Sequence, residues 1–81
     1  MKLYEFKAKY MSRIALLRPT NNREKQLKDT LMNKLNNLRA MNLPNLVHSL
    51  YMIIEYENVS SNFKKICREM IEDVQKLEGT E

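Results

Sequence analysis

The chain has 81 residues, of which 30% are charged and 43% hydrophobic, with one cysteine and a net charge of +4. This length fits one small domain, residues 1–81, that buries about 60–65% of its unfolded surface. A lone cysteine excludes an internal disulfide, and one cysteine with one histidine argues against a structural metal or other cofactor. Because domains this small often depend on a partner, we expect a protein partner or a homo-oligomer.

The first residues, MKLYEFKAKYM, are charged throughout and lack the apolar region of a signal peptide. No segment approaches the ~20 apolar residues of a membrane span, so we expect no membrane insertion. Together with the single cysteine, this pattern favours a cytoplasmic location.

The charge is divided unequally along the chain. Residues 1–39 contain ten Lys or Arg and three Asp or Glu, whereas residues 40–81 contain four and seven. Such asymmetry has two interpretations that the sequence leaves open. The first half binds an acidic partner, or the two halves attract each other across the domain surface.

The first predicted helix spans Lys2–Arg18, because Pro19 cannot continue it. The second spans Asn22–Met41 and begins with Asn21 and Glu24, whose spacing resembles a capping box. The buried stripes predicted for these helices are Leu3, Phe6, Tyr10, Ile14 and Leu17, followed by Leu27, Leu31, Leu35, Leu38 and Met41.

The third helix contains the strongest local signal, LPNLVHSLYMIIEY, which begins at Leu43 with Pro44 favouring a helix start. No Asp, Glu, Lys or Arg occurs between Arg39 and Glu55. Its apolar residues cover an arc of about 160°, wider than one neighbouring helix covers. We therefore expect this helix to be central in the domain.

The fourth helix is predicted over Ser61–Glu78, with Asn58, Ser60 or Ser61 as its amino-terminal cap and Gly79 after its end. The predicted fold is all-α: a small bundle of four helices, or a three-helix core plus an amino-terminal helix, joined by short loops.

No group of side chains indicates catalysis, so the protein is not expected to be an enzyme. Cys67 lies on the apolar stripe of the fourth helix and is interpreted as a small buried hydrophobe. His48 has two interpretations, a partly buried imidazole bonded to the backbone or a contact residue on an apolar patch.

A partner-binding surface is predicted on the charge-free helix, where His48 lies at the edge of the apolar arc beside Tyr51 and Met52, together with basic residues of the first half. Met52 and Tyr56 project off the buried arc of the third helix, and off-face methionine is typical of adaptable binding surfaces. The candidate partner-binding residues are Lys9, Arg13, His48, Tyr51, Met52 and Tyr56.

A nucleic-acid-binding or replication and transcription regulatory module is the alternative, because ten basic residues lie in the first half. They are spread around two helices, and no helix-turn-helix, zinc or RNP pattern accompanies them. Protein–protein interaction is therefore the preferred function.

The stretches RPTNNREKQLKDTLMNKLNNLRAMNLPNL and EYENVSSNFKKICREMIEDVQKLEGTE resemble the small early regulators of T4-type bacteriophages, in particular their cytoplasmic lysis-inhibition antiholins. The likeness is one of size and texture along the whole chain. It implies a non-enzymatic regulatory protein of the host cytoplasm that binds the cytoplasmic segment of a holin and delays lysis. A second segment, LNNLRAMNLPNLVHSL, resembles the opening of helicase-loader and transposition ATPases, which implies a protein-interaction role in replication.

Overall fold

The computed structural model describes residues 1–78 and confirms an all-α bundle of four helices. No strand occurs within this range. Gly79, the predicted residue after the last helix, lies outside the described residues. The helices are α1 (Leu3–Ala15), α2 (Asn22–Asn36), α3 (Leu43–Tyr56) and α4 (Ser61–Val74), with a 3₁₀ turn at Ala40–Asn42.

The starts of α2 and α4 have capping side chains. The Asn21 side chain accepts a hydrogen bond from the backbone N–H of Glu24 at 2.9 Å, as the sequence predicts. The Glu24 carboxylate accepts from the Thr20 hydroxyl, so no reciprocal bond to Asn21 completes the capping box. At α4 the cap is Ser60, whose hydroxyl accepts from the Phe63 N–H at 3.3 Å.

Three helices end earlier than predicted: α1 at Ala15, α2 at Asn36 and α4 at Val74 rather than at Arg18, Met41 and Glu78. At the first two of these ends, lysines of the neighbouring helix bind backbone carbonyl groups. Lys28 of α2 donates to the carbonyls of Ala15 and Leu17 at 3.2 and 2.8 Å, where α1 ends. Lys7 of α1 donates to the carbonyls of Asn36 and Leu38, both at 3.4 Å, where α2 ends. A cation at a helix carboxyl end also opposes the negative end of the helix dipole. The antiparallel helices α1 and α2 thus cap each other.

The early end of α2 corrects one core prediction. Met41 was expected on the buried face of this helix, but it lies in the 3₁₀ turn and is 82% exposed. The Asn37 side chain donates to the carbonyl of Asn33 at 3.0 Å, which offers the backbone an alternative to another helical turn. Leu38 still reaches the core from the loop after α2.

The packing order places α1 and α4 in the middle of the bundle. Helix α1 packs against α2 and α4, and α3 packs chiefly against α4 and the 3₁₀ turn. The expectation that α3 is central is therefore wrong. Its apolar arc is only partly covered: Leu46, Leu50 and Ile53 are buried, whereas Tyr51 is 49% exposed. Within residues 1–78 no helix combines the length and apolar character that crossing a membrane requires.

Candidate interaction surface: the groove between α2 and α3

Part of the opposite charge of the two halves is paired within the molecule. Side-chain ion pairs join basic residues of the first half to acidic residues of the second, which supports the interpretation of attraction between the halves. They are Lys2–Glu78 at 2.8 Å, Lys9–Asp73 at 2.7 Å, Arg23–Glu57 at 2.6 Å, and Arg13–Glu69.

Two of these pairs belong to the contact between α1 and α4, which we call the closed seam. The Asp73 carboxylate oxygen that accepts from Lys9 also accepts from the Tyr10 hydroxyl at 2.6 Å. Tyr10 is fully buried, and burial together with the bond to Asp73 raises the pKa of its hydroxyl above the ordinary value. The donors Lys9 and Tyr10 lower the pKa of Asp73, so this carboxylate is ionised at neutral pH.

The contact between α2 and α3 is much looser and leaves a groove on the surface. Its apolar section has a volume of about 180 Å³ and is lined mainly by Leu27 and Leu31 of α2 and by Met52 and Ile53 of α3. The Arg23–Glu57 ion pair joins the start of α2 to the residue that follows α3. Glu57 also lines this apolar section. We call this feature, with its continuation described next, the α2–α3 groove.

The groove continues into an amide-rich section of about 260 Å³. Lys34 lines both sections and therefore marks the place where they meet. Its side chain has neither an ion pair nor a hydrogen bond within residues 1–78, although the residue is half-buried. The remaining residues of the amide-rich section are Asn33, Asn37, Leu38, Asn42, Asn45 and Leu46.

The structure divides the predicted partner-binding residues between separate places. His48 and Met52 line the apolar section of the α2–α3 groove. Tyr51 and Tyr56 are exposed on α3 but do not line the groove. The other two, Lys9 and Arg13, lie at the closed seam in ion pairs with acidic residues of α4.

His48 matches one of its two interpretations better than the other. The residue is exposed, and its side chain forms no hydrogen bond with any described residue. It is therefore a side chain at the rim of the groove, rather than a buried imidazole bonded to the backbone.

Sequence reasoning missed the α2 wall of the groove. Leu27 and Leu31 were assigned to the core, which is correct, but their edges also face the groove. Lys34 follows them with the spacing of one helix face, since residues three and four apart are neighbours. This spacing indicates that Leu27, Leu31 and Lys34 share one face of α2. Only the position of α3 shows that this face is left partly open.

Cys67 is fully buried, and burial raises the pKa of its thiol to about 12, so the thiol stays protonated and unreactive. No cluster of three or more His, Cys, Asp or Glu side chains suited to a metal occurs in residues 1–78. The groups that line the α2–α3 groove are apolar side chains, amides, hydroxyls, the His48 imidazole, the Lys34 ammonium group and the Glu57 carboxylate.

Comparison with known proteins supplies no relative. No protein-family model matches the chain, and searches of curated proteins and of solved structures give no significant match. The function is therefore inferred from the geometry of the α2–α3 groove.

Proposed function

We propose that this protein is a non-enzymatic regulator that binds a helix of another protein in the α2–α3 groove. The observation that carries the proposal is the apolar section, which the bundle's own helices leave uncovered. Met52 remains 43% exposed there, beside the leucines of α2. Apolar grooves between helices are typical docking sites for amphipathic helices, and methionine adapts readily to the partner's shape.

The partner that we propose is the cytoplasmic segment of a holin. The support for this choice is the resemblance of the whole chain to the cytoplasmic lysis-inhibition antiholins of T4-type bacteriophages. In this proposal the protein acts in the host cytoplasm, and occupation of the groove withholds the holin segment from pore assembly. Lysis is delayed for as long as the complex persists.

The first experiment is recovery of the tagged protein from its native host cell, with and without nuclease. The proposal predicts a defined protein partner that survives nuclease and has the sequence of a holin. Met52→Glu should abolish its recovery, because a carboxylate would then lie in the apolar section. Met41→Glu is the matched control, since Met41 is 82% exposed and lines neither section of the groove.

A nuclease-resistant partner other than a holin would refute the antiholin assignment and keep the interaction role. Equal recovery with Met52→Glu and with the wild-type protein would refute the groove as the binding site.

Nucleic-acid binding is the second candidate. It is favoured by the basic residues of the first half that form no ion pair within residues 1–78, among them Arg18, Lys25, Lys34 and Arg39. Recovery that disappears with nuclease, together with binding that weakens steeply with salt, would support this candidate and refute the antiholin proposal.

A further inference from the structure

We infer that the occupant of the α2–α3 groove is an acidic amphipathic helix of a partner protein, with one carboxylate that pairs with Lys34. The inference rests on the proposed function and specifies the chemistry of the partner. It does not depend on the partner being a holin.

The first step is the charge inside the groove. The apolar section is lined by two residues with a permanent charge, Lys34 and Glu57. Glu57 is already paired, because the Arg23 guanidinium donates to both of its carboxylate oxygens at 3.0 and 2.6 Å. Lys34 forms no ion pair or side-chain hydrogen bond with any residue of the described range 1–78, and it lies beside apolar surface.

The second step is what happens when a ligand covers this surface. An occupant that buries the Leu27 and Leu31 edges also removes water from the half-buried Lys34 ammonium group. Burying a cation without a counter-charge is unfavourable, so the groove selects a ligand with a carboxylate at this position. A ligand with a cation there is rejected by repulsion as well as by desolvation.

The third step is the length of the site. Leu27 to Lys34 spans about 10 Å along α2, which is roughly two turns of a docked helix. Apolar side chains three or four residues apart would contact Leu27, Leu31, Met52 and Ile53, and the carboxylate would follow about one turn later. Within residues 1–78 the apolar section is lined by no Phe, Tyr or Trp; its one ring is the imidazole of His48 at the rim. Apolar side chains with a single cation favour a peptide helix over nucleic acid, which requires several cations and stacking rings.

The test uses the full chain and fluorescein-labelled, stapled helical peptides of two designed sequences. Both present leucines on one face, and they differ only in having Glu or Lys one turn beyond the last leucine. Fluorescence anisotropy should show that the Glu peptide binds the wild-type protein about tenfold more tightly than the Lys peptide. Lys34→Glu should reverse this preference, and Lys34→Gln should remove it.

The control is Lys25→Glu. It makes the same change in net charge on the same helix, but Lys25 lines neither section of the α2–α3 groove. It should preserve the preference for the Glu peptide, which separates pairing at Lys34 from general electrostatic attraction. Circular dichroism should show equal helix content in all variants.

The inference is overturned if neither peptide binds, if the two peptides bind equally, or if Lys25→Glu acts like Lys34→Glu. Sedimentation that shows a dimer of the wild-type protein but a monomer of Met52→Glu would make a second copy the occupant and also overturn it. If the cellular partner is still lost with Met52→Glu, the proposed function survives each of these failures. If that partner is unaffected, the proposed function fails as well.

Discussion

The closed seam and the α2–α3 groove differ because their helices offer different partners for positive charge. At the closed seam, Lys9 and Arg13 of α1 meet Asp73 and Glu69 of α4. At the groove, α2 faces a helix without acidic or basic residues before Glu55, and Lys34 has no ion-pair partner among residues 1–78. The charge-free stretch that marks α3 in the sequence therefore offers Lys34 no counter-charge. The ion pairs of the closed seam join α1 to α4, whereas Lys34 at the α2–α3 groove, which has no ion pair within residues 1–78, is available to bind a partner.

The largest effect on stability is expected from truncating Phe6, a core residue next to Tyr10 of the closed seam. Phe6 is fully buried, with its ring centroid 5.0 Å from that of Tyr10. Phe6→Ala should lower the free energy of unfolding by about 3–5 kcal/mol, a large part of the stability of a domain this size. Urea denaturation followed by circular dichroism measures the loss. Tyr4→Ala, on the same helix but 68% exposed, should change it by no more than about 0.5 kcal/mol.

The next largest effect on stability is expected from removing the Asp73 carboxylate, which accepts hydrogen bonds from Lys9 and Tyr10 at the closed seam. Asp73→Ala leaves the buried Tyr10 hydroxyl without its acceptor, and should cost about 1–3 kcal/mol at neutral pH. Glu72→Ala, on the exposed side of α4, is the control. Equal urea midpoints for the two variants would contradict the role assigned to Asp73.

Asp73 also predicts a dependence of stability on pH. Its pKa is lowered in the folded protein, so folding is favoured by the ionised carboxylate. This contribution is fully present above the unfolded pKa of about 3.9 and is lost as the pH falls through the lower folded value. Arg13 and Arg23 act in the same direction on the pKa values of Glu69 and Glu57. Urea midpoints should therefore fall more steeply with acid in the wild-type protein than in Asp73→Ala.

The smallest effect on stability is expected at the α2–α3 groove. Met52→Ala removes a side chain that is 43% exposed, and should cost less than about 1 kcal/mol. Met70→Ala is its contrast, because Met70 is fully buried and its loss should cost about 2–5 kcal/mol. Binding of the Glu peptide should show the opposite order, with the larger loss for Met52→Ala. A greater loss of stability for Met52→Ala than for Met70→Ala would show that the groove is part of the core.

Much of the local structure could be predicted from the sequence, because it depends on neighbours along the chain. Asn21 caps α2 as predicted, and Ser60 caps α4 as one of the three candidates that the sequence offered, each by a bond to a backbone group three residues away. The apolar periodicity correctly marks Leu3, Phe6 and Tyr10 as buried. The helix ends after Ala15 and Asn36 could not be predicted in this way. At both ends a lysine of the other helix, Lys28 or Lys7, donates to backbone carbonyl groups, and this contact between helices is not visible in the local sequence.

The sequence by itself determined the all-α class, the four helices, most of the core and the presence of a charge-free helix. Only the tertiary structure decided that this helix lies at one side of the bundle and that Lys34 faces it without an ion pair to any described residue. The physical reason is that hydrophobic burial is not directional. An apolar arc on α3 requires burial, but the partner that buries it is decided by the packing of all four helices together.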